Sequence, residues 1–346
     1  MGDAQGAVSP GKGGSALASA PRADDERRGH EGLRAERRGE GEDMRVRVVT
    51  VPYRYDEPDE GLGKGPTALL EAGLLDRLRE RGVDASGASS AALAEEDRVA
   101  GPVAANIGRL GATTATLVAA ARAEAAGVLV LAGDDTASVG IVSGLQQAHG
   151  AGARIGIVWL DAHGDFNTPE TSYSGILAGM PLAILAGLAG PVWRTSAGLA
   201  APVPTDRILI AGVRELDERE ETLLRSTNVQ VVAASAVAEE RPFAQALHTL
   251  LLRSDILFLH VDLDVLDPSL VPSASTPSPD GWSVEEAAAV MRTVLDTGKV
   301  VVVGIAGLNP GAGQRGERSI ETTIALIEAA LPAWQGTAPD AALSGA

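Results

Sequence analysis

Short runs of β-branched and other apolar residues alternate along the chain with longer stretches in which apolar residues recur at helical spacing. The short runs predict strands at 45–51, 127–132, 153–160, 207–212, 228–233, 255–263 and 299–305. The longer stretches predict helices at about 66–82, 105–125, 137–149, 215–226, 236–252, 283–296 and 318–332. Strands and helices therefore take turns, which is typical of an α/β domain.

Several predicted strands are apolar at every position rather than at every second one. The runs VLVLAG at 128–133 and VVVVGIA at 300–306 are examples. Continuous apolar strands are expected in a parallel sheet that helices cover on both faces. We therefore predict a three-layer α/β/α sandwich, in which ligands bind beyond the carboxyl ends of the strands.

The two ends of the chain lack this pattern. Residues 1–43 are rich in Gly, Ala, Ser, Arg and Glu and contain few large apolar side chains. Such a segment cannot bury enough apolar surface to offset the entropy that it would lose on ordering. We predict a disordered extension at 1–43, one domain at 44–335 and a flexible tail at 336–346.

Composition narrows the function classes. The 46 acidic and 29 basic residues give a net charge of −17, which would repel a nucleic acid. The absence of cysteine excludes thiolate metal sites and thiol nucleophiles. No signal peptide opens the chain, so we expect a cytoplasmic location. The uncharged stretch 175–193 contains six Gly or Pro residues, and we interpret it as a buried loop and helix rather than a membrane span.

Carboxylates and one imidazole follow three of the predicted strands. They are Asp134 and Asp135, then Asp161, His163 and Asp165, then Asp262 and Asp264. The second and third groups have a spacing of two, so an extended backbone would point their side chains to one side. Clustered carboxylates are costly to bury unless a cation neutralises them, and Mn²⁺ or Mg²⁺ suits this ligand set. We predict two divalent ions, which would activate water and polarise an electrophile.

Structural roles for some of these residues stay open at this point. Paired aspartates at a strand end can also cap a turn or a helix. His260 lies two residues before Asp262 and could face the same side. We interpret it as a packed histidine or as one that contacts a metal ligand, with a direct role in the site as the alternative.

Four motifs, taken together, resemble those of the arginase/agmatinase (ureohydrolase) family. They are AGDDT at 132–136, DAHGDFNTP at 161–169, DLDVLDPS at 262–269 and GLNP at 307–310. The resemblance runs from about residue 44 to 335. It implies one α/β/α domain with a mostly parallel eight-stranded sheet and two Mn²⁺ ions at the strand ends.

The resemblance also implies roles for individual residues. The implied metal ligands are Asp161, His163, Asp165, Asp262 and Asp264, with Asp135 in the place of a family histidine. Asp161 and Asp262 resemble bridging ligands, and Asp165 resembles the residue that carries a proton to the leaving nitrogen. In the family, a bridging hydroxide attacks the carbon of a guanidinium or related amidine, which then collapses to urea and an amine.

Four positions depart from the arginase pattern. The ligand histidine is Asp135, the loop histidine that moves protons is Ala178, the guanidinium-binding glutamate is Gly307, and a loop asparagine is Ile176. The added carboxylate should make bound water harder to deprotonate. Loss of the glutamate should weaken guanidinium binding by about 1.5–3 kcal/mol, and Gly307 is expected to leave open space for a substituent.

Other substrate positions resemble those of arginases. Asn167 and Ser174 match residues that hold the α-carboxylate of an amino acid, and Asp217 matches the residue that meets the α-amino group. Thr276 matches a threonine near the reacting nitrogen. Structural alternatives are a turn cap for Asn167, a helix cap for Ser174 and an ordinary helix-surface carboxylate for Asp217.

These features favour a dimanganese hydrolase that cleaves a linear amidine. The substrate would be a small molecule, an arginine-like or N-substituted guanidine of an amino acid, and the product urea or a substituted urea. The alternative is a weakly active or inactive relative that keeps the metal pair for stability or partner binding. The family likeness suggests a trimer or hexamer, whereas the short polar end of the chain is also compatible with a monomer.

Overall fold

A computed structural model describes residues 1–2, 44–124, 127–237 and 241–334. Eight strands form its main sheet: β1 Met44–Val51, β2 Val83–Ser90, β3 Gly127–Ala132, β4 Ile155–Leu160, β5 Ile208–Val213, β6 Gln230–Ala233, β7 Ile256–Asp262 and β8 Val300–Ala306. Their order across the sheet is β2-β1-β3-β8-β7-β4-β5-β6. All neighbouring pairs run parallel, so the predicted parallel eight-stranded sheet is confirmed.

Helices cover both faces of this sheet. They are α1 Gly65–Glu71, α2 Leu74–Glu80, α3 Val103–Glu124, α4 Ser138–His149, α5 Pro181–Leu185, α6 Pro191–Ser196, α7 Glu218–Arg225, α8 Ala234–Val237, α9 Arg241–Arg253, α10 Val284–Leu295 and α11 Gln314–Ala330. Helices α1, α2 and α8 to α11 contribute to one core, and α3 to α7 contribute to the other.

Strand β3 shows how the two cores arise. Leu129 and Leu131 pack into the core that includes α9, α10 and α11, whereas Val128 and Val130 pack into the core that includes α3 and α4. Successive side chains of a strand point to opposite faces, so an entirely apolar strand serves both cores. The three-layer sandwich follows directly from this pattern.

Two elements differ from the sequence prediction. Strand β2, with the sequence VDASGASS, was not predicted, because its small and polar side chains carry no strand signal. It lies at the edge of the sheet and pairs with β1 alone. The helix predicted at 66–82 is two helices, because Gly73 takes a left-handed φ of 82° between α1 and α2.

The predicted extension at 1–43, apart from Met1 and Gly2, and the predicted tail at 336–346 lie outside the described residues. The uncharged stretch contains α5, which is buried from Pro181 to Leu185. Across the described part of the chain, none of the helices combines the length and the hydrophobicity needed to cross a bilayer.

Candidate metal centre

The predicted carboxylates meet at the carboxyl edge of the sheet. Asp135 follows β3, Asp161 follows β4, and Asp262 ends β7, three strands within four neighbouring positions. Parallel strands end on the same edge, so these distant segments of the chain come together. Two groups of possible ligand atoms result, each with its atoms within 4.8 Å of one another, and Asp161 belongs to both.

The first group consists of Asp135, Asp161 and His260, all of them buried. His260 Nε2 lies 2.9 Å from Asp135 Oδ1. Trp159 Nε1 donates a hydrogen bond of 2.9 Å to Asp161 Oδ2 and so fixes that carboxylate. This group offers two carboxylates and one imidazole to a cation.

The second group consists of Asp161, His163 and Asp264. His163 Nδ1 lies 3.1 Å from Asp264 Oδ2 and 3.3 Å from Asp161 Oδ1. Thr276 Oγ1 donates to Asp264 Oδ2 at 2.8 Å, which orients this carboxylate. The imidazole of His163 is 24% exposed, so the second group is the more accessible of the two.

Asp165 reaches the centre through a turn. Strand β4 ends at Leu160, and Asp165 has a left-handed φ of 46°. The extended backbone on which a common direction of Asp161, His163 and Asp165 depended therefore does not continue as far as Asp165, although Asp161 and His163 do meet in the second group. Asp165 is buried, and its Oδ2 has no hydrogen-bond partner among the described residues. A buried carboxylate oxygen without a donor is available to a cation or to a proton.

Short turns set the positions of the other carboxylates. Asp262 Oδ1 accepts the backbone N–H of Asp264 at 2.8 Å, which closes the turn that follows β7. Asp134 has a capping role, since it accepts the N–H groups of Tyr55 and Thr136 at 2.7 and 3.0 Å. Asp134 therefore caps a turn, which is one of the structural roles considered for the paired aspartates. Its neighbour Asp135 belongs to the carboxylate cluster.

The carboxylates of the centre repel one another. Burial, and then the charge of Asp264, raise the pKa of Asp161 to about 7. Burial and neighbouring aspartates hold the pKa values of Asp165 and Asp262 well above their usual range. Burial lowers the pKa of His163, but its hydrogen bonds to Asp161 and Asp264 outweigh this and raise it to about 11.

This donor set fits divalent cations. A pair of hard cations would neutralise the buried oxygens that repel one another. It would also satisfy Asp165 Oδ2, for which the described ranges supply no hydrogen-bond donor. The two groups contain Asp135, Asp161, His163, Asp264 and His260. Asp165 and Asp262 belong to neither group but lie close enough to these aspartates to feel their charge, so they could add further ligands. Their oxygen-rich chemistry suits Mn²⁺ or Mg²⁺.

The centre opens into a cavity of about 930 Å³. Acidic side chains line much of it, namely Glu57, Glu60, Glu215, Asp217 and Glu220. Among the described lining residues, Arg54 and His163 are the basic ones. The cavity therefore favours a ligand that carries positive charge.

The substrate residues expected from the sequence all line this cavity. They are Asn167, Ser174, Asp217 and Thr276. Asn167 Nδ2 donates to Asp217 Oδ2 at 3.4 Å, which joins two of them. Asp217 is the N-cap residue of α7, but its side chain makes no capping hydrogen bond there. Ser174 Oγ accepts the N–H of Ile176 at 3.2 Å, a local turn contact rather than a helix cap.

The departures from the arginase pattern lie around the same cavity. Ala178 and Ile176 line it, and Ile176 is 42% exposed, which makes this side of the mouth apolar. Gly307 does not open the space expected of it. A Cβ atom on Gly307 would lie 2.3 Å from Asp262 Oδ1, so the carboxylate of Asp262 fills that space.

Sequence reasoning assigned no role to Glu220. This residue of α7 is buried, and its Oε1 accepts the N–H of Phe166, next to Asp165, at 2.8 Å. Burial raises its pKa to about 7. A Cβ on Gly164 would lie 2.7 Å from Glu220 Oε1, which explains the glycine in the DAHGD motif. Nothing in the local sequence of α7 distinguishes Glu220 from its acidic neighbours.

Comparison with known proteins points to one family. The profile of the arginase family matches residues 44–332. An arginase of Brucella melitensis is 30% identical over 282 residues, covering 79% of this chain and 92% of its own. An arginase of Bacillus caldovelox is 27% identical over 295 residues, covering 82% and 96%. The crystal structure of Bacillus subtilis arginase superposes with a TM-score of 0.72 at 26% identity, covering 83% of this chain and 98% of that one.

Proposed function

The chain belongs to the arginase family, and from this premise we propose that it hydrolyses a cationic guanidine or amidine with the help of two Mn²⁺ ions. Members of this family are hydrolases of the ureohydrolase type, which act on small molecules. The observation that supports the proposal most is the buried Oδ2 of Asp165, which has no hydrogen-bond partner in the described part of the chain. It lies among mutually repelling aspartates and lines an acidic cavity.

When bound, a pair of divalent ions supplies Lewis acidity and lowers the pKa of water. In the reaction, the water oxygen bonds to the amidine carbon, and the bond from that carbon to the leaving nitrogen breaks. The proton that water loses must reach the leaving nitrogen. Asp165 is suited to hold it in transit, because its carboxylate lines the cavity and its buried Oδ2 has no hydrogen-bond partner among the described residues.

The cavity lining supports a substrate with a positive charge and an amino-acid head. The carboxylate of Asp217 can accept a hydrogen bond from the α-ammonium group of a substrate. Asn167 can either orient the Asp217 carboxylate or donate to the α-carboxylate of the substrate. Arg54 adds a positive charge at the same cavity. At the reacting end, Ala178 and Gly307 supply no charged side chain to a guanidinium, which favours a guanidine that does not depend on such a contact over free arginine. Any substituent must be accommodated elsewhere than beside Gly307, because the Asp262 carboxylate fills that space.

A second candidate rests on the same departures. Asp135, Ala178 and Gly307 replace residues that arginases use in catalysis and binding, which favours a weakly active relative that keeps its metal pair for stability or partner binding. The two candidates make the same prediction for metal content and opposite predictions for turnover.

Metal analysis together with a substrate panel separates them. The purified protein, loaded with Mn²⁺ and freed of excess ion, should retain about two ions per chain. Release of urea, substituted urea or amine is then measured with L-arginine, Nω-methyl-L-arginine, agmatine and a formimidoyl amino acid. Turnover of any N-substituted compound faster than L-arginine supports the hydrolase. A protein that holds two ions and is inert to the whole panel supports the inactive relative.

A further inference from the structure

Asp135 and His260 form a contact that neither position suggests alone. They are 125 residues apart in the sequence, yet His260 Nε2 lies 2.9 Å from Asp135 Oδ1. Both side chains are buried, at 2% and 7% exposure. Asp135 stands where the family likeness implied a histidine, and His260 brings an imidazole to the same place from another strand.

The packing around His260 fixes the orientation of its ring. Trp159 stacks on the imidazole with ring centroids 3.6 Å apart, and Phe258 meets it edge-on at 5.9 Å. The sheet register places Trp159 and His260 directly beside each other on strands β4 and β7. Trp159 also holds Asp161 through its indole N–H, so one tryptophan fixes both the imidazole and a carboxylate.

The other nitrogen of the ring has a polar neighbour. Ser138 Oγ, at the start of α4, lies 3.4 Å from His260 Nδ1. The hydroxyl can accept the Nδ1–H, which leaves the lone pair of Nε2 pointing to Asp135 and Asp161. A metal-bound histidine commonly donates its second N–H to an oxygen in this way.

The spacing of the donor atoms matches a shared ion. Two neighbouring ligands of an octahedral cation, at metal–ligand distances near 2.1 Å, are separated by about 3 Å. The Nε2 to Oδ1 distance of 2.9 Å has this value, and Asp161 offers an oxygen within 4.8 Å of both atoms. A hydrogen bond between His260 and Asp135 would give the same distance, so an experiment must separate the two arrangements.

We propose that His260 is a metal ligand, and that it supplies through Nε2 the imidazole that position 135 does not. The first ion is then held by Asp135, Asp161 and His260, while His163 serves the second group. The inference rests on the metal centre of the proposed function and not on its substrate. It predicts two histidine nitrogens around the metal pair instead of one.

Pulsed electron paramagnetic resonance on the Mn²⁺-loaded protein tests this assignment. The spectrum detects ¹⁴N nuclei that are bonded directly to Mn²⁺ and separates them from the weakly coupled nitrogens of a hydrogen-bonded ring. The protein, His260→Asn and His163→Asn are each compared at one and at two Mn²⁺ ions per chain. His248→Asn, on the exposed face of α9, is the control for loss of a histidine remote from the site.

We expect His260→Asn to remove one class of strongly coupled nitrogen and to weaken binding of one of the two ions at least about tenfold. His163→Asn should remove the other class, and His248→Asn should change neither. If His260→Asn loses Mn²⁺ affinity but keeps every strongly coupled nitrogen, His260 only orients Asp135, and the proposal is overturned. Unchanged affinity and an unchanged spectrum overturn it as well.

A second variant, which changes the packing less, keeps the proposal testable if His260→Asn does not fold. Ser138→Ala keeps the ring but removes the acceptor of Nδ1–H, so we expect a weaker ¹⁴N coupling and a small loss of affinity. A protein that binds no Mn²⁺ at all contradicts the proposed function together with this inference. A protein that binds two ions through His260 and hydrolyses nothing contradicts only the proposed hydrolase.

Discussion

One residue of the carboxylate cluster and one residue beside it hold the backbone in the left-handed region. Asp165 has φ 46° and Gly307 has φ 91°. Such a conformation costs a residue with a side chain roughly 1–3 kcal/mol, and it persists only where the surrounding structure fixes it. At Asp165 the turn directs a carboxylate into the centre, whereas at Gly307 the missing side chain leaves room for Asp262.

Replacing Asp165 by Asn keeps a residue that tolerates the left-handed backbone but removes the group proposed to hold the proton. We expect kcat to fall about 10²- to 10⁴-fold for whichever substrate the panel identifies. Metal content, measured by mass spectrometry, should drop in one site only. Asp280→Asn is the matched control, because Asp280 is exposed and has a left-handed φ of 60°. Equal activity of the two variants would reject the role assigned to Asp165.

Replacing Gly307 tests the steric role found for this glycine. In Gly307→Ala the new Cβ would lie 2.3 Å from Asp262 Oδ1, so the carboxylate must move. We expect calorimetry to show weaker Mn²⁺ binding by Gly307→Ala. Gly307→Glu places a side chain against the same carboxylate, so it should not create arginase activity. Gly298→Ala has a similar φ of 69° with open space around the new Cβ, and it should cost only about 1–2 kcal/mol of stability. Tight metal binding by Gly307→Ala would contradict the steric argument.

At the scale of secondary-structure elements, helix ends contribute measurably to stability. Helix α10 begins with a capping box, in which Ser283 Oγ accepts the N–H of Glu286 at 3.2 Å and the Glu286 carboxylate accepts the N–H of Ser283 at 2.8 Å. The reciprocal bonds satisfy two backbone donors that the helix itself leaves unpaired. The buried face of α10 packs into the core through Met291 and Val294.

We expect Ser283→Ala to lower the free energy of unfolding by about 1 kcal/mol, because it removes the N-cap acceptor. Urea unfolding followed by circular dichroism measures this loss. Ser235→Ala, at an exposed position in α8, is the control and should change stability by less than about 0.5 kcal/mol. Equal stability losses in the two variants would contradict a capping contribution from Ser283. Neither substitution should alter metal content, because neither serine lines the cavity of the metal centre.

At the scale of the whole molecule, the centre makes stability depend on pH. The folded protein holds protons on Asp135 and Asp161, whose pKa values burial and neighbouring charges raise to about 7. It also holds a proton on His163, whose pKa is about 11 because hydrogen bonds to Asp161 and Asp264 outweigh burial. In the unfolded chain these groups lose their protons near their ordinary pKa values, at lower pH. Between about pH 6.5 and 9 the folded state therefore binds more protons than the unfolded state.

Protein stripped of divalent ions with a chelator should consequently become less stable as the pH rises from about 6.5 to 9. Addition of Mn²⁺ should reverse this trend, since metal binding requires deprotonated ligands and strengthens as the pH rises. Differential scanning calorimetry at a series of pH values, with and without Mn²⁺, measures both effects. A Tm of the stripped protein that stays level or rises over this range would show that the cluster does not hold these protons.

Strands β3, β7 and β8 were predictable within about two residues, because continuous apolar runs specify strands that are buried on both faces. Strand β2 was not, because an edge strand needs little apolar surface and its small residues pair with β1 through backbone hydrogen bonds. The break at Gly73 was also missed, since one left-handed glycine interrupts an otherwise regular helical pattern.

The amino-acid sequence by itself determined the parallel sheet, the arginase family and the placement of aspartates at three strand ends. These features depend on the local sequence alone, that is, on the spacing of hydrophobic residues and on motifs of a few residues. Tertiary structure alone decided that His260 contacts Asp135, that a turn delivers Asp165, and that Asp262 fills the space beside Gly307. Each of these contacts depends on the register of neighbouring strands or on the path of a turn. The distances between the residues concerned are therefore fixed only when separate segments of the chain pack together.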